Sequence, residues 1–121
     1  MKSCQIELLI YFGKPLPDCP IYRYLKLLEG EFNEARDQYT LKAAKMDKPF
    51  VEDMLEVFVD RLLEDLLIVL DDLKTFDPRM FLEVVLHEDP GQPLYGITLS
   101  PSLMHKITKL NLSLDFDRYV D

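Results

Sequence analysis

The residues of this chain with the means to do chemistry are its carboxylates, two histidines, two cysteines and a serine at a helix start. His87 closes a strand-like run and His105 lies in a helical one, with no third ligand at metal spacing. Both read as structural or exposed, and no metal or cofactor is expected. Asp115 and Asp117 share one face of the last strand pattern and could act as an acid–base pair. No nucleophile or phosphate-binding loop accompanies them, so an outward, solvated strand face is the plainer reading. Ser100 precedes Pro101 and reads as a helix cap, not a nucleophile. Cys4 and Cys19 stand fifteen residues apart without a CxxC pair, the usage of reduced thiols in a cytosolic protein. No catalytic constellation emerges, and the chain is expected not to be an enzyme.

What remains is an acidic row. Asp53, Glu56, Asp60, Glu64 and Asp71 recur at helical spacing within residues 49–74, PFVEDMLEVFVDRLLEDLLIVLDDLK. The net charge of the whole chain is −8, which makes nucleic acid or an anionic membrane an unfavourable partner. Residues 49–74 alone carry two basic and eight acidic side chains. Concentrated charge of this kind offers a patch to a basic protein surface. The ordinary reading is the solvated face of an amphipathic helix. The functional one is a surface that pairs with a basic cleft, for which charge complementarity speeds encounter and sets specificity. Like charges four apart, as with Glu56, Asp60 and Glu64, cost a few tenths of a kcal/mol per pair. Their repetition speaks for a use.

The element that must hold this row is a long helix. Leu55, Phe58, Leu62, Leu66, Val69 and Leu73 fall in the arc opposite the acids. A continuous helix over 49–74 would be about 39 Å long, against a domain diameter of about 35 Å, so it spans the molecule, bends or projects. Asp47 ahead of Pro49 supplies its expected start. Leu67 and Ile68 point to the polar side. They are either covered by a neighbouring element or form an apolar anchor beside the acids.

Around that helix the patterns predict an α+β fold. Cys4 to Phe12 alternates as a strand, and Asp18 and Pro20 open a short helix ending near Gly30. Residues 31–48 suit one or two short strands. Met80–His87 is apolar on both parities and reads as a central strand. A turn at 88–93 followed by Leu94–Leu99 predicts a hairpin. Ser100 caps a third helix through Leu103, Ile107 and Leu110, and Leu112–Val120 forms a last strand with Leu112, Leu114 and Phe116 inward. The order is β-α-(β-β)-α-β-β-α-β, a mixed sheet with helices on one face, in a single domain over 1–121. The N-terminus shows no signal-peptide pattern and no segment approaches a membrane span.

Residues 96–120, GITLSPSLMHKITKLNLSLDFDRYV, resemble the C-terminal signature of a bacterial family catalogued as domain of unknown function 4279. The resemblance rests on Leu99-Ser100-Pro101, the helix Leu103 to Leu110, and Leu114-Asp115-Phe116-Asp117 with Tyr119; with the long helix and the strand before it, it covers roughly residues 50–120. It implies a small cytoplasmic bacterial protein of a kind that includes immunity proteins encoded beside toxins, and it brings no catalytic residues. The expected function is therefore neutralisation of a cognate toxin with a basic surface, through Asp53, Glu56, Asp60, Glu64, Leu67, Ile68 and Asp71. The alternative is an assembly module, a homodimer pairing through Leu67, Ile68 or an open sheet edge.

Overall fold

The first strand, β1 (Ser3–Tyr11), lies at the centre of a five-stranded sheet. Its sequence accounts for the position: Leu8, Leu9 and Ile10 are apolar on both parities, so neither edge nor face suits water. In the computed structural model, which describes residues 3–44, 50–91 and 96–120, β1 pairs antiparallel with β3 (Gln38–Lys42) on one side and β4 (Arg79–Glu88) on the other. The two-residue β2 (Glu31–Phe32) closes one edge against β3. β5 (Ser113–Val120) forms the other edge and runs parallel to β4. The order is β2-β3-β1-β4-β5, a mixed sheet within an α+β fold.

Parallel pairing of β4 with β5 needs a crossover, and α4 (Pro101–Lys109) supplies it. The Ser100 hydroxyl accepts from the Leu103 N–H at 3.1 Å and Pro101 follows as the first helical residue. Asn111, with φ of 57°, then turns the chain into β5. The buried arcs of α1 (Pro20–Leu27), α2 (Val51–Leu66) and α4 join Ile6, Leu8 and Ile10 of β1 and Leu82, Val84 and Leu86 of β4 in one apolar core. Residues of the opposite parity, such as Glu7, Glu83 and Asp115, stay outside it, so the helices cover one face of the sheet.

Three local expectations change. The predicted hairpin strand Leu94–Leu99 is not formed over 96–99, where the chain runs irregularly; Leu94 and Tyr95 lie outside the described residues. The reason is sheet topology: β4 already has a neighbour on each side, so no edge remains for a hairpin partner. Ile97 and Leu99 instead pack against the core, and the Thr98 N–H donates to Glu52 at 3.0 Å. The long helix is not continuous. α2 ends at Leu66, a 3-10 turn spans Leu67–Val69, and α3 (Leu70–Lys74) follows. Ile68 and Val69, both β-branched, weaken the α-helix here, while Leu66, Leu70 and Leu73 remain buried across the interruption. Asp18 does not cap α1. The N-cap is Cys19, without a side-chain hydrogen bond, and Asp18 pairs instead with Arg23 at 3.3 Å on the surface. The start expected of Asp47 lies outside the described residues; within them α2 is preceded by Phe50.

Gly30 also has a different role from a helix cap. Glu29 takes the left-handed conformation, with φ of 70°. Gly30 passes so close to Tyr39 that an added Cβ would sit 2.2 Å from the ring. Tyr39 is fully buried and donates its hydroxyl to the Leu25 carbonyl at 2.6 Å, tying β3 to the end of α1. Cys4 and Cys19 are half-buried free thiols.

Candidate functional site

α2 sorts its residues sharply. Val51, Met54, Leu55, Phe58, Val59, Leu62 and Leu66 are buried. On the other side Asp53, Val57, Asp60 and Glu64 are exposed at spacings of four, three and four, which aligns them in one row along the helix. Val57 is 47% exposed, although a valine inside an apolar-rich helix reads from sequence as core. Its place in the row is legible once the acids are used as the ruler. Beyond the end of α2 the same exposed character continues into the 3-10 turn, where Leu67 is 37% and Ile68 74% exposed. No described element covers Ile68. Phe50, 62% exposed, stands just before the helix.

The acids are not equivalent. Lys106 on α4 reaches across to Asp60 at 2.8 Å and Glu56 at 3.3 Å. Its hydrogen bond to Asp60, more than any other contact, holds the Lys106 ammonium above the ordinary lysine range. Glu56 is thereby drawn toward α4, and Glu52 is occupied by Thr98. Asp53, Glu64 and Asp71 have no such cation among the described residues. Asp71 lies past the 3-10 turn on α3, so it extends the acidic surface from a separate helix. On another side of α2, Arg61 pairs with Asp65 at 3.4 Å and donates to the Leu28 carbonyl at 3.2 Å, fixing α2 to α1. Of the seven residues singled out from the sequence, Asp53, Asp60 and Glu64 form the exposed row, Leu67 and Ile68 continue it, Asp71 flanks it, and Glu56 turns aside.

A second acidic group lies on the open face of the sheet. Register sets Glu7, Glu83 and Asp115 side by side across β1, β4 and β5, with Lys42 of β3 beyond Glu7. Partial burial first, then the charges of Glu7, Asp117 and Asp115, push the Glu83 carboxyl above its ordinary range. A raised carboxyl costs stability as pH rises past its unfolded value. Glu83→Gln is therefore expected to stabilise the fold near neutral pH by roughly 0.5 kcal/mol, the scale of one like-charge cross-strand pair. Urea titrations of both proteins should differ at pH 7 and converge below the ordinary glutamate value of 4.5.

The histidines do not gather into a site: His87 stacks on Tyr119 with ring centroids 5.4 Å apart, and His105 is exposed on α4. Among the described residues no group of three or more His, Cys, Asp or Glu side chains is arranged to hold a metal, and no helix is long and apolar enough to cross a membrane. No protein-family model, curated protein or solved structure matches the chain.

Proposed function

We propose that this chain is a cytoplasmic binding protein of the immunity type, which neutralises a cognate bacterial toxin by occupying the toxin's basic surface and performs no catalysis. The observation that carries the reading is the exposed row of Asp53, Val57, Asp60 and Glu64, running into Leu67 and Ile68 at its end. Acids set around exposed apolar side chains are what a protein interface with a basic partner requires: the charges steer, and the apolar side chains hold once water is excluded. Of the row only Asp60 ties α2 to another element, through Lys106 of α4; Asp53, Val57 and Glu64 face away from the buried arc. A second copy is a poor occupant of this row, because a two-fold interface would set acids against acids.

The test is association with the product of the adjacent gene. The reversal Asp53→Lys with Glu64→Lys, which leaves the Lys106 pairs intact, is expected to slow association at least tenfold and to flatten its dependence on salt. Stopped-flow measurement at two ionic strengths reads this directly. Equal rates for wild type and variant would remove the row from the interface, and failure of the two proteins to form any complex would remove the reading itself. Sedimentation that showed a dimer broken by Ile68→Asp would favour the assembly module instead.

A further inference from the structure

The sheet has two unlike edges. β2 is only two residues long, but β5 is eight, and among the described residues it pairs with β4 alone. In a strand, every second residue directs its N–H and C=O to one side, so half of β5's backbone groups face away from β4. Such an edge is a template for another strand unless something blunts it.

The side chains on β5 say what would fit. On the open face stand Asp115 and Asp117, next to Glu83 and Val85 of β4. On the helix-covered face stand Leu114, Phe116 and Arg118. Phe116 is 38% exposed, and with Leu86, Ile97 and Arg118 it lines a shallow depression of about 240 Å³. Arg118 is held beside the buried Glu88, with Nε 3.2 Å from Oε2. The open face of β5 is therefore acidic at alternate positions, and the other face offers a hollow for one apolar side chain.

A second copy of this chain does not satisfy that pattern. Two-fold pairing of β5 with itself keeps each face of the sheet on its own side, so residues of equal parity oppose each other. Pairing centred on Phe116 sets Asp115 against Asp117 twice over, and pairing centred on either aspartate sets it against itself. Like charges directly opposed are unfavourable. In these registers of greatest overlap the acids disfavour a homotypic strand, and they favour a basic one.

We propose that the free edge of β5 accepts an extended segment of a partner protein as a sixth strand, with lysine or arginine at alternate positions and an apolar residue between them. The basic side chains, about 6.8 Å apart along such a strand, stand opposite Asp115 and Asp117. The apolar residue between them points to the other face and fills the hollow by Phe116. Main-chain hydrogen bonds supply the affinity and the alternating side chains the specificity, as in other cases of strand addition. This site lies on β5 and does not depend on the α2 row.

The probe is a fluorescein-labelled nonapeptide of alternating lysine and valine, blocked at both ends, added to isotope-labelled protein. Expected are saturable binding by anisotropy and slowed amide exchange confined to residues 113–120 and their β4 neighbours. The same peptide N-methylated on alternate valines and on alternate lysines, so that both of its edges are blocked, keeps its charge but cannot pair as a strand, and should bind at least tenfold more weakly. Asp115→Lys with Asp117→Lys should weaken the unmodified peptide at least tenfold, while Asp53→Lys with Glu64→Lys should change it less than twofold. Equal binding of the methylated peptide would overturn the proposal, because only charge would then be at work, and that comparison needs no protein variant to fold. Protection mapping to α2, or a dimer of the free protein joined through β5, would overturn it as well.

Discussion

Gly30→Ala is expected to destabilise the fold by about 3 kcal/mol, although it adds a single methyl group at a backbone angle that alanine can adopt. The new Cβ would meet two ring carbons and the hydroxyl oxygen of Tyr39 between 2.2 and 2.4 Å, and that side chain has nowhere to go. It is fully buried, packs edge-on against Phe32 with centroids 5.0 Å apart, and is anchored by its hydroxyl to Leu25. Overpacking of a rigid core costs about 1–3 kcal/mol, and the upper end applies where a hydrogen bond is also displaced. The measurement is the urea midpoint of the variant, with the double variant Gly30→Ala, Tyr39→Leu beside it. Removing the ring should abolish most of the alanine's cost, so the two changes should be strongly non-additive. Additive losses would show that the glycine is needed for its backbone and not for the close approach.

The same tyrosine gives the fold an alkaline limit. Burial pushes the Tyr39 hydroxyl up to about 12, with a smaller push from Asp65, while the Gly30 backbone and Arg61 pull the other way. A group whose folded value is raised contributes stability that is complete below its unfolded value, here the ordinary 10, and is lost as pH climbs toward 12. Tyr39→Phe should remove that alkaline loss while costing about 1 kcal/mol at neutral pH for the hydrogen bond.

The second large effect divides two neighbouring residues. Leu66→Ala is expected to cost about 3 kcal/mol, because Leu66 is completely buried at the end of α2 and its removal leaves a cavity. Ile68→Ala, two positions on, should cost less than about 0.5 kcal/mol, the scale of an exposed substitution. Thermal unfolding of the two variants reads the difference. If Ile68 proved as costly as Leu66, it would be part of the core and unavailable to a partner.

Much of this architecture was legible from periodicity and turn chemistry. The alternation in Cys4–Phe12 and Leu112–Phe116, the Ser100-Pro101 start and the heptad-like arc of Leu55, Phe58, Leu62 and Leu66 each follow from local rules, and the strands in residues 31–48 came from β-prone Phe32, Tyr39 and Leu41. What was not legible depended on distant chain. Residues 96–99 alternate well enough for a strand, but whether they pair is decided by β5 taking the place beside β4. Leu66 to Leu70 is apolar all round, so periodicity alone does not reveal that the helix is interrupted there. Of the candidate row, the acids were visible as a charge pattern. The capture of Glu56 by Lys106 fifty positions later was not, because no local signal links α2 to α4.

The position of β1 has a consequence in time. It precedes the other strands of the sheet in the chain, yet it is the strand that both β3 and β4 must flank, with Tyr11 opposite Arg79 and Ser3 opposite His87. At ordinary rates of synthesis the ribosome needs roughly ten seconds to deliver β4 after β1 has emerged. Throughout that interval Leu8, Leu9 and Ile10 wait with one side of their backbone unpaired. The newborn chain therefore passes through a stage in which an apolar strand stands with an unpaired edge, open to association with other chains.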